Sequence, residues 1–209
     1  MRDGASTACL PNWDDDASDL HEERMAAVMQ ALLRAGAKSV LDLGCGTGVL
    51  LERLARLCAF TRLAGVDSSM EALGAAQRRL GRDGVLLHHG SFEVADERLA
   101  GYEAVVMLET IEHVDPGRLS AVEQALFTCY RPATVLITTP NREYNALYGM
   151  PEDARRHPDH RFEWTRARFR SWAARTAARR GYAVSLCTLG TPDPVRGGPT
   201  QMAEFRRGA

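Results

Sequence analysis

Apolar positions recur along the chain with two different spacings, and their alternation lays out an α/β domain. Met25, Val28, Met29, Leu32 and Leu33 form one apolar stripe, which predicts a helix over 20–33 that Gly36 ends. Asp19 followed by Glu22 resembles a capping box for it. Short apolar runs at 39–43, 63–67, 85–89, 104–108 and 134–139 predict buried strands, with a helical pattern between successive runs except between 85–89 and 104–108. The expected helices are 49–58, 70–80 (capped by Ser68 or Ser69), 119–129 and 166–179. In the last, Thr165 is the cap, Phe169 and Trp172 face the sheet, and Gly181 is the stop. Closing strands are expected at 182–189 and 200–205.

Two stretches break the pattern. Residues 1–18 are polar and acidic and are expected to form a loose segment before a single domain over 19–209. From 141 to 163 the apolar period fails, and a long irregular segment inside a compact domain is more often functional than idle. It carries Asn141, Tyr144, Asn145, Tyr148, His157 and His160.

Composition adds limits. The 209 residues suffice for one α/β domain, no apolar run is long enough to span a bilayer, and Met1 to Trp13 lacks the pattern of a secretory signal. Five dispersed cysteines without a CxxC pair argue against a disulfide framework or zinc knuckle and fit a reducing cytosol, so a cytoplasmic location without a membrane partner is expected. Net charge is −1, but residues 1–140 carry 13 basic and 20 acidic side chains whereas 141–209 carry 13 and 7. A positive C-terminal third suits an anionic partner such as nucleic acid; a solvated arginine face is the plainer alternative.

Candidate chemistry collects at strand ends. The first strand runs into Gly44-Cys45-Gly46-Thr47-Gly48, a turn in which backbone can approach a ligand closely. The second ends in Asp67, about 20 residues on, where a carboxylate bonds ribose hydroxyls in Rossmann-like sheets. After the third, Ser91 and Phe92 can flank a base, while His88 and His89 read as ordinary surface or core histidines. The fourth delivers Glu109-Thr110-Ile111-Glu112-His113. On a helix, Glu109, Glu112 and His113 would share one side and offer mixed oxygen and nitrogen donors to a divalent ion. The alternative, a solvated acidic helix start, is weakened by the location, because open α/β sheets bind ligands outside the carboxyl ends of their strands.

The order of elements, with Val40-Leu41-Asp42-Leu43-Gly44-Cys45-Gly46-Thr47-Gly48 and Gly65-Val66-Asp67, resembles the class I S-adenosylmethionine-dependent methyltransferases over roughly residues 20–140. That resemblance implies a Rossmann-like, mostly parallel seven-stranded sheet with helices on both faces. It also implies cofactor contacts from Asp42, Gly44, Gly46, Thr47, Asp67, Ser68, Ser91 and Phe92.

Strings like Glu109-Thr110-Ile111-Glu112-His113-Val114 also occur in quinone-biosynthesis methyltransferases. Three later stretches are more specific: Thr138-Thr139-Pro140-Asn141-Arg142-Glu143-Tyr144-Asn145, Arg156-His157-Pro158-Asp159-His160-Arg161-Phe162-Glu163-Trp164-Thr165-Arg166, and Pro199-Thr200-Gln201-Met202-Ala203. Together they resemble the RNA 3′-terminal 2′-O-methyltransferases, whose other members are larger, so this chain looks like their catalytic domain.

The resemblance implies metal ligands, and hence the catalytic centre, at Glu109, Glu112, His113 and His160, with His157 as the competitor of His160 and a candidate proton acceptor. The ion expected is Mg²⁺ or Mn²⁺, with Co²⁺ a further candidate because two imidazoles favour softer ions. The substrate implied is RNA with a free 3′-terminal ribose, and an RNA end-healing and ligation enzyme is a candidate partner. Arg24, Arg142, Tyr144, Asn145, Arg161 and Arg166 are the candidate RNA contacts, while Trp164 reads as core. Two other functions use the same residues: methylation of a small catechol-like molecule, and a nucleotide-binding module with a structural metal and no turnover. Oligomeric state is left open.

Overall fold

A computed structural model describes residues 13–81 and 84–208. Seven strands form one sheet in the order β3-β2-β1-β4-β5-β7-β6. β1 (Ser39–Leu43), β2 (Arg62–Asp67), β3 (Val85–His89), β4 (Ala104–Leu108) and β5 (Thr134–Pro140) pair in parallel. β7 (Thr200–Arg207) inserts antiparallel between β5 and β6 (Tyr182–Leu189). The mostly parallel seven-stranded sheet implied by the resemblance is therefore present, and β1 and β5 are buried along their whole length because helices cover both faces.

One face packs Phe127, Phe169, Trp172 and Phe205; the other packs Val28, Leu32, Leu51, Leu54 and Leu73. Strand order reverses between β1 and β4, and the connections leaving these strands diverge there, opening a crevice at their carboxyl ends.

Helix boundaries differ from the pattern in three places. α1 spans Trp13–Ala35, so Asp19 and Glu22 lie inside a helix and are not its cap; of the expected loose segment, residues 1–12 lie outside those described. α2 is Val49–Ala55, shorter than expected. The expected helix 119–129 divides into α4 (Leu119–Gln124) and a π-helical turn, Ala125–Tyr130. α3 (Met70–Leu80) is capped by Ser69, and α5 (Arg166–Arg180) by Thr165, with Gly181 left-handed at its end.

The irregular segment has no apolar period because polar side chains, not a buried stripe, hold it. The Asn141 amide donates to the carbonyls of Arg196 (2.8 Å) and Gly198 (2.9 Å). The Arg156 guanidinium donates to Asn145 Oδ1 (2.6 Å), Pro199 O (2.9 Å) and Asn141 O (2.7 Å). These bonds satisfy loop carbonyls that no ladder reaches and tie the segment to the β6–β7 connection. Among the described residues no helix is long and apolar enough to cross a membrane.

Candidate metal and cofactor site

The centre is built where β4 ends. Glu109 has φ of 52°, a left-handed conformation that costs a non-glycine residue about 1–3 kcal/mol, and its N–H donates to Thr138 Oγ1 on β5 (2.9 Å). The chain is thereby turned before the short 3-10 turn Ile111–His113 begins. This corrects the expectation of one helical face: Glu109 precedes the turn instead of sharing a helix with Glu112 and His113. Its carboxylate meets Arg24 of α1 at 3.1 Å.

Candidate ligand atoms of Glu112, His113 and His160 lie within 4.8 Å of one another, and Glu109 is outside that group. The structure thus chooses His160 over His157, whose side chain is 55% exposed and whose Nδ1 accepts from Asp159 N–H (3.2 Å).

Glu112 is wholly buried. Thr139 Oγ1 donates to its Oε2 (3.0 Å), while Oε1 has no partner. Burial, and then the Glu109 carboxylate, push its carboxyl well above the usual range. His113 is moved the other way, by burial and by the neighbouring rings of His160 and His157, which favours the neutral imidazole needed for ligation. A buried carboxylate with a free oxygen beside two imidazoles, together with the partnerless buried Oε1 of Glu109, is an arrangement a divalent cation would satisfy.

Behind His160 stands a residue the motif reading left without a role. Glu163 Oε1 bonds His160 Nδ1 at 2.7 Å, leaving Nε2 as the ring's outward atom. Burial would raise the Glu163 carboxyl, but bonds from His160, Asn145 Nδ2 (2.6 Å) and the Arg156 N–H (2.7 Å) outweigh it and hold the group low. The spacing of Glu163 three residues after His160 was the only available signal.

A cavity of about 390 Å³ opens beside the cluster, lined by Gly44, Asp67, Ser68, Ser91, Phe92, Glu93, Glu109, Thr110 and His113. Gly44 is required there: at φ of 80° a Cβ would lie 2.4 Å from Thr110 Cγ2. Asp67 takes N–H bonds from Gly46 and Ser69, each 2.8 Å, so its carboxylate is fixed with lone pairs remaining for a ligand.

Three other expected cofactor residues, Asp42, Gly46 and Thr47, do not line the cavity. Asp42 lies beneath the turn with Oδ1 buried and partnerless, and burial with the nearby Asp67 raises its carboxyl to about 7.

Most expected RNA contacts have internal partners instead. Asn145 is 4% exposed, with both amide atoms committed to Glu163 and Arg156. Arg24 is held by Glu109 and by Thr200 Oγ1 (2.8 Å). Arg166 pairs with Glu143 (2.7 Å) and also donates to Val195 O, Tyr144 donates to Thr191 O, and Arg142 donates to Glu152 O. Each of these polar tips has a partner within the fold that charge and polarity alone could not show. Arg161 keeps a free guanidinium among the described residues, and Trp164 is core, stacked on Phe162 at 4.5 Å.

Residues 40–133 match the methyltransferase-domain family. The chain is 36% identical to the small RNA 2′-O-methyltransferase of Rattus norvegicus over 90% of its own length and 51% of that protein. It therefore spans about half the length of the curated relatives it matches. A solved methyltransferase domain of bacterial CtHen1 is 42% identical with a TM-score of 0.82, covering 91% of this chain and all of that one. A chain from a Pnkp1/Rnl/Hen1 RNA repair complex shares the fold, at 21% identity and a TM-score of 0.70, over 90% of this chain and 42% of that one.

Proposed function

Because the chain belongs to the small RNA 2′-O-methyltransferase family, as a methyltransferase domain of the Hen1 kind, we propose that it methylates the 2′-oxygen of the 3′-terminal ribose of RNA. S-adenosylmethionine is the donor in this reading. The sulfonium–methyl bond breaks as the oxygen–methyl bond forms, the hydroxyl proton departs, and S-adenosylhomocysteine leaves. The observation that carries it is the gathering of Glu112, His113 and His160 beside the glycine-turn cavity, which puts a basic, ligating cluster next to the donor's place.

Gly44 admits the donor's close approach to backbone, and the fixed carboxylate of Asp67 suits its ribose hydroxyls. Glu112, His113 and His160 would hold a divalent ion, with the free Oε1 of Glu109 adjoining. Such an ion would supply charge that lowers the pKa of a ribose hydroxyl and fixes its direction. The two imidazoles favour Mn²⁺ or Co²⁺ over Mg²⁺. Glu163 orients His160, and Thr139 holds one oxygen of Glu112.

Selectivity for the strand end rests on the free vicinal diol. An internal nucleotide has its 3′-oxygen in a phosphodiester, and DNA lacks the 2′-hydroxyl. An end-healing and ligation enzyme as partner is supported only by the repair assembly in which a fold neighbour was solved.

The test is labelled methyl transfer to matched oligonucleotides. RNA ending in a free diol should be modified at its terminal nucleotide and only without EDTA. Equal labelling of a 3′-phosphate RNA, or turnover indifferent to chelation, would refute the proposal.

A further inference from the structure

A second cavity, of about 320 Å³, has Arg142, Arg155, Arg161 and Arg168 among its lining residues. Two acids also line it, but Glu163 is consumed by His160, Asn145 and the Arg156 N–H, which leaves Asp153 alone against the guanidinium groups. Arg142 spends a donor on Glu152 O, whereas the guanidinium groups of Arg155, Arg161 and Arg168 have neither ion pair nor hydrogen bond among the described residues. Arg24, Arg53, Arg98, Arg166 and Arg179, by contrast, each hold an ion pair. Three unpaired guanidinium groups around one concavity make a site for oxyanions.

None of Glu112, His113 and His160 lines this cavity, but residues 161–163 of its wall are bonded to Glu112 and His160. The N–H groups of Arg161 and Phe162 both donate to Glu112 O, at 2.8 and 3.4 Å, and Glu163 lines the cavity while bonding His160. The glycine-turn cavity has Asp67, Glu93 and Glu109 in its lining and no arginine or lysine, with Glu93 paired to Arg118 and Glu109 to Arg24. Of these two cavities, only the arginine-lined one offers unpaired cations to a polyanion whose last ribose sits at the cluster.

We infer that Arg155, Arg161 and Arg168 hold the phosphates of the nucleotides immediately 5′ of the terminal ribose. The RNA strand leaves the centre through this cavity, away from the methyl donor. The inference rests on the RNA reading above. Contacts to phosphate fix position without reading bases, so the grip is indifferent to sequence.

The experiment is fluorescence anisotropy of a labelled single-stranded RNA of about ten nucleotides with a free 3′-terminal diol, titrated at several salt concentrations without S-adenosylmethionine. The triple variant Arg155→Ala/Arg161→Ala/Arg168→Ala should bind at least about tenfold more weakly. Its slope of log affinity against log salt should be shallower by about 2, since each lost phosphate contact in a single strand removes about 0.7. A control with the same charge loss elsewhere, Arg34→Ala/Arg78→Ala/Arg175→Ala, should keep the parental slope.

A retained melting temperature identifies the triple variant as folded, and the single variant Arg168→Ala, at an exposed helix position, should give about one third of the slope change. Unchanged affinity and slope in the triple variant, or an equal loss in the control, would overturn the cavity assignment while leaving terminal methylation standing. Absence of RNA binding and of methyl transfer by the parent chain would overturn both.

Discussion

Asp42→Asn tests whether the carboxyl beneath the glycine turn is a stored cost. Asp42 is 2% exposed, its Oδ1 has no partner, and burial with the nearby Asp67 raises it from 3.8 to about 7. The native state thus keeps a proton that the unfolded chain has lost between about pH 4 and 7, so this group lowers stability as pH rises through that window. The whole interval is worth at most roughly 4 kcal/mol, at about 1.4 kcal/mol per tenfold change in proton affinity.

The amide is nearly isosteric and does not ionise. The variant should therefore gain on the parent by about 2–3 kcal/mol between pH 5 and pH 8.5, or roughly 4–12 °C in melting temperature for a chain of this size. Thermal unfolding of both proteins at the two pH values, without S-adenosylmethionine, measures the gap, and other titrating groups cancel in the comparison. A gap that stays constant with pH would show that Asp42 ionises normally and that its burial is relieved in a way the structure does not show.

The remaining expectations concern the site. Glu163→Gln should weaken Mn²⁺ or Co²⁺ binding by roughly 10–100-fold through loss of the ionic brace on His160, read by calorimetry or by Mn²⁺ resonance; unchanged metal affinity would remove Glu163 from the site. Glu112→Ala and His160→Ala should each abolish methyl transfer while S-adenosylmethionine affinity stays within about threefold, since neither side chain lines the donor cavity; retained turnover in both would argue against ligation. Gly44→Ala combines a φ of 80° with a 2.4 Å contact to Thr110 and should cost more than about 2 kcal/mol in urea unfolding, with donor binding weakened alongside. A loss under about 0.5 kcal/mol would mean the turn is softer than its geometry implies.

Local pattern was sufficient for the seven strands, the cap at Thr165, the glycine turn, and the placement of Asp67 and the Glu109 stretch at strand ends, because burial periodicity and turn chemistry are properties of neighbours in the chain. Those signals were silent or misleading where distant partners compete for a side chain. Glu109 looked like the first member of a helical triad, but its left-handed backbone, bonded to Thr138 of β5, places it ahead of the turn, and its carboxylate pairs with Arg24 of α1. His160 and His157 were equivalent by spacing, and only the buried Glu163 behind one of them separates the two. Asn145 and Arg166 carried the right charge or polarity for RNA and are spent inside the fold, whereas Arg155 and Arg168 drew no notice and line a cavity. Sequence therefore determined which strands form and roughly where the main helices lie, but not where α1 begins, where α2 ends or how 119–129 divides. Tertiary structure decided which polar tips remain free, because a donor or carboxylate goes to whichever partner desolvates with it, and that partner is set by packing across the whole chain.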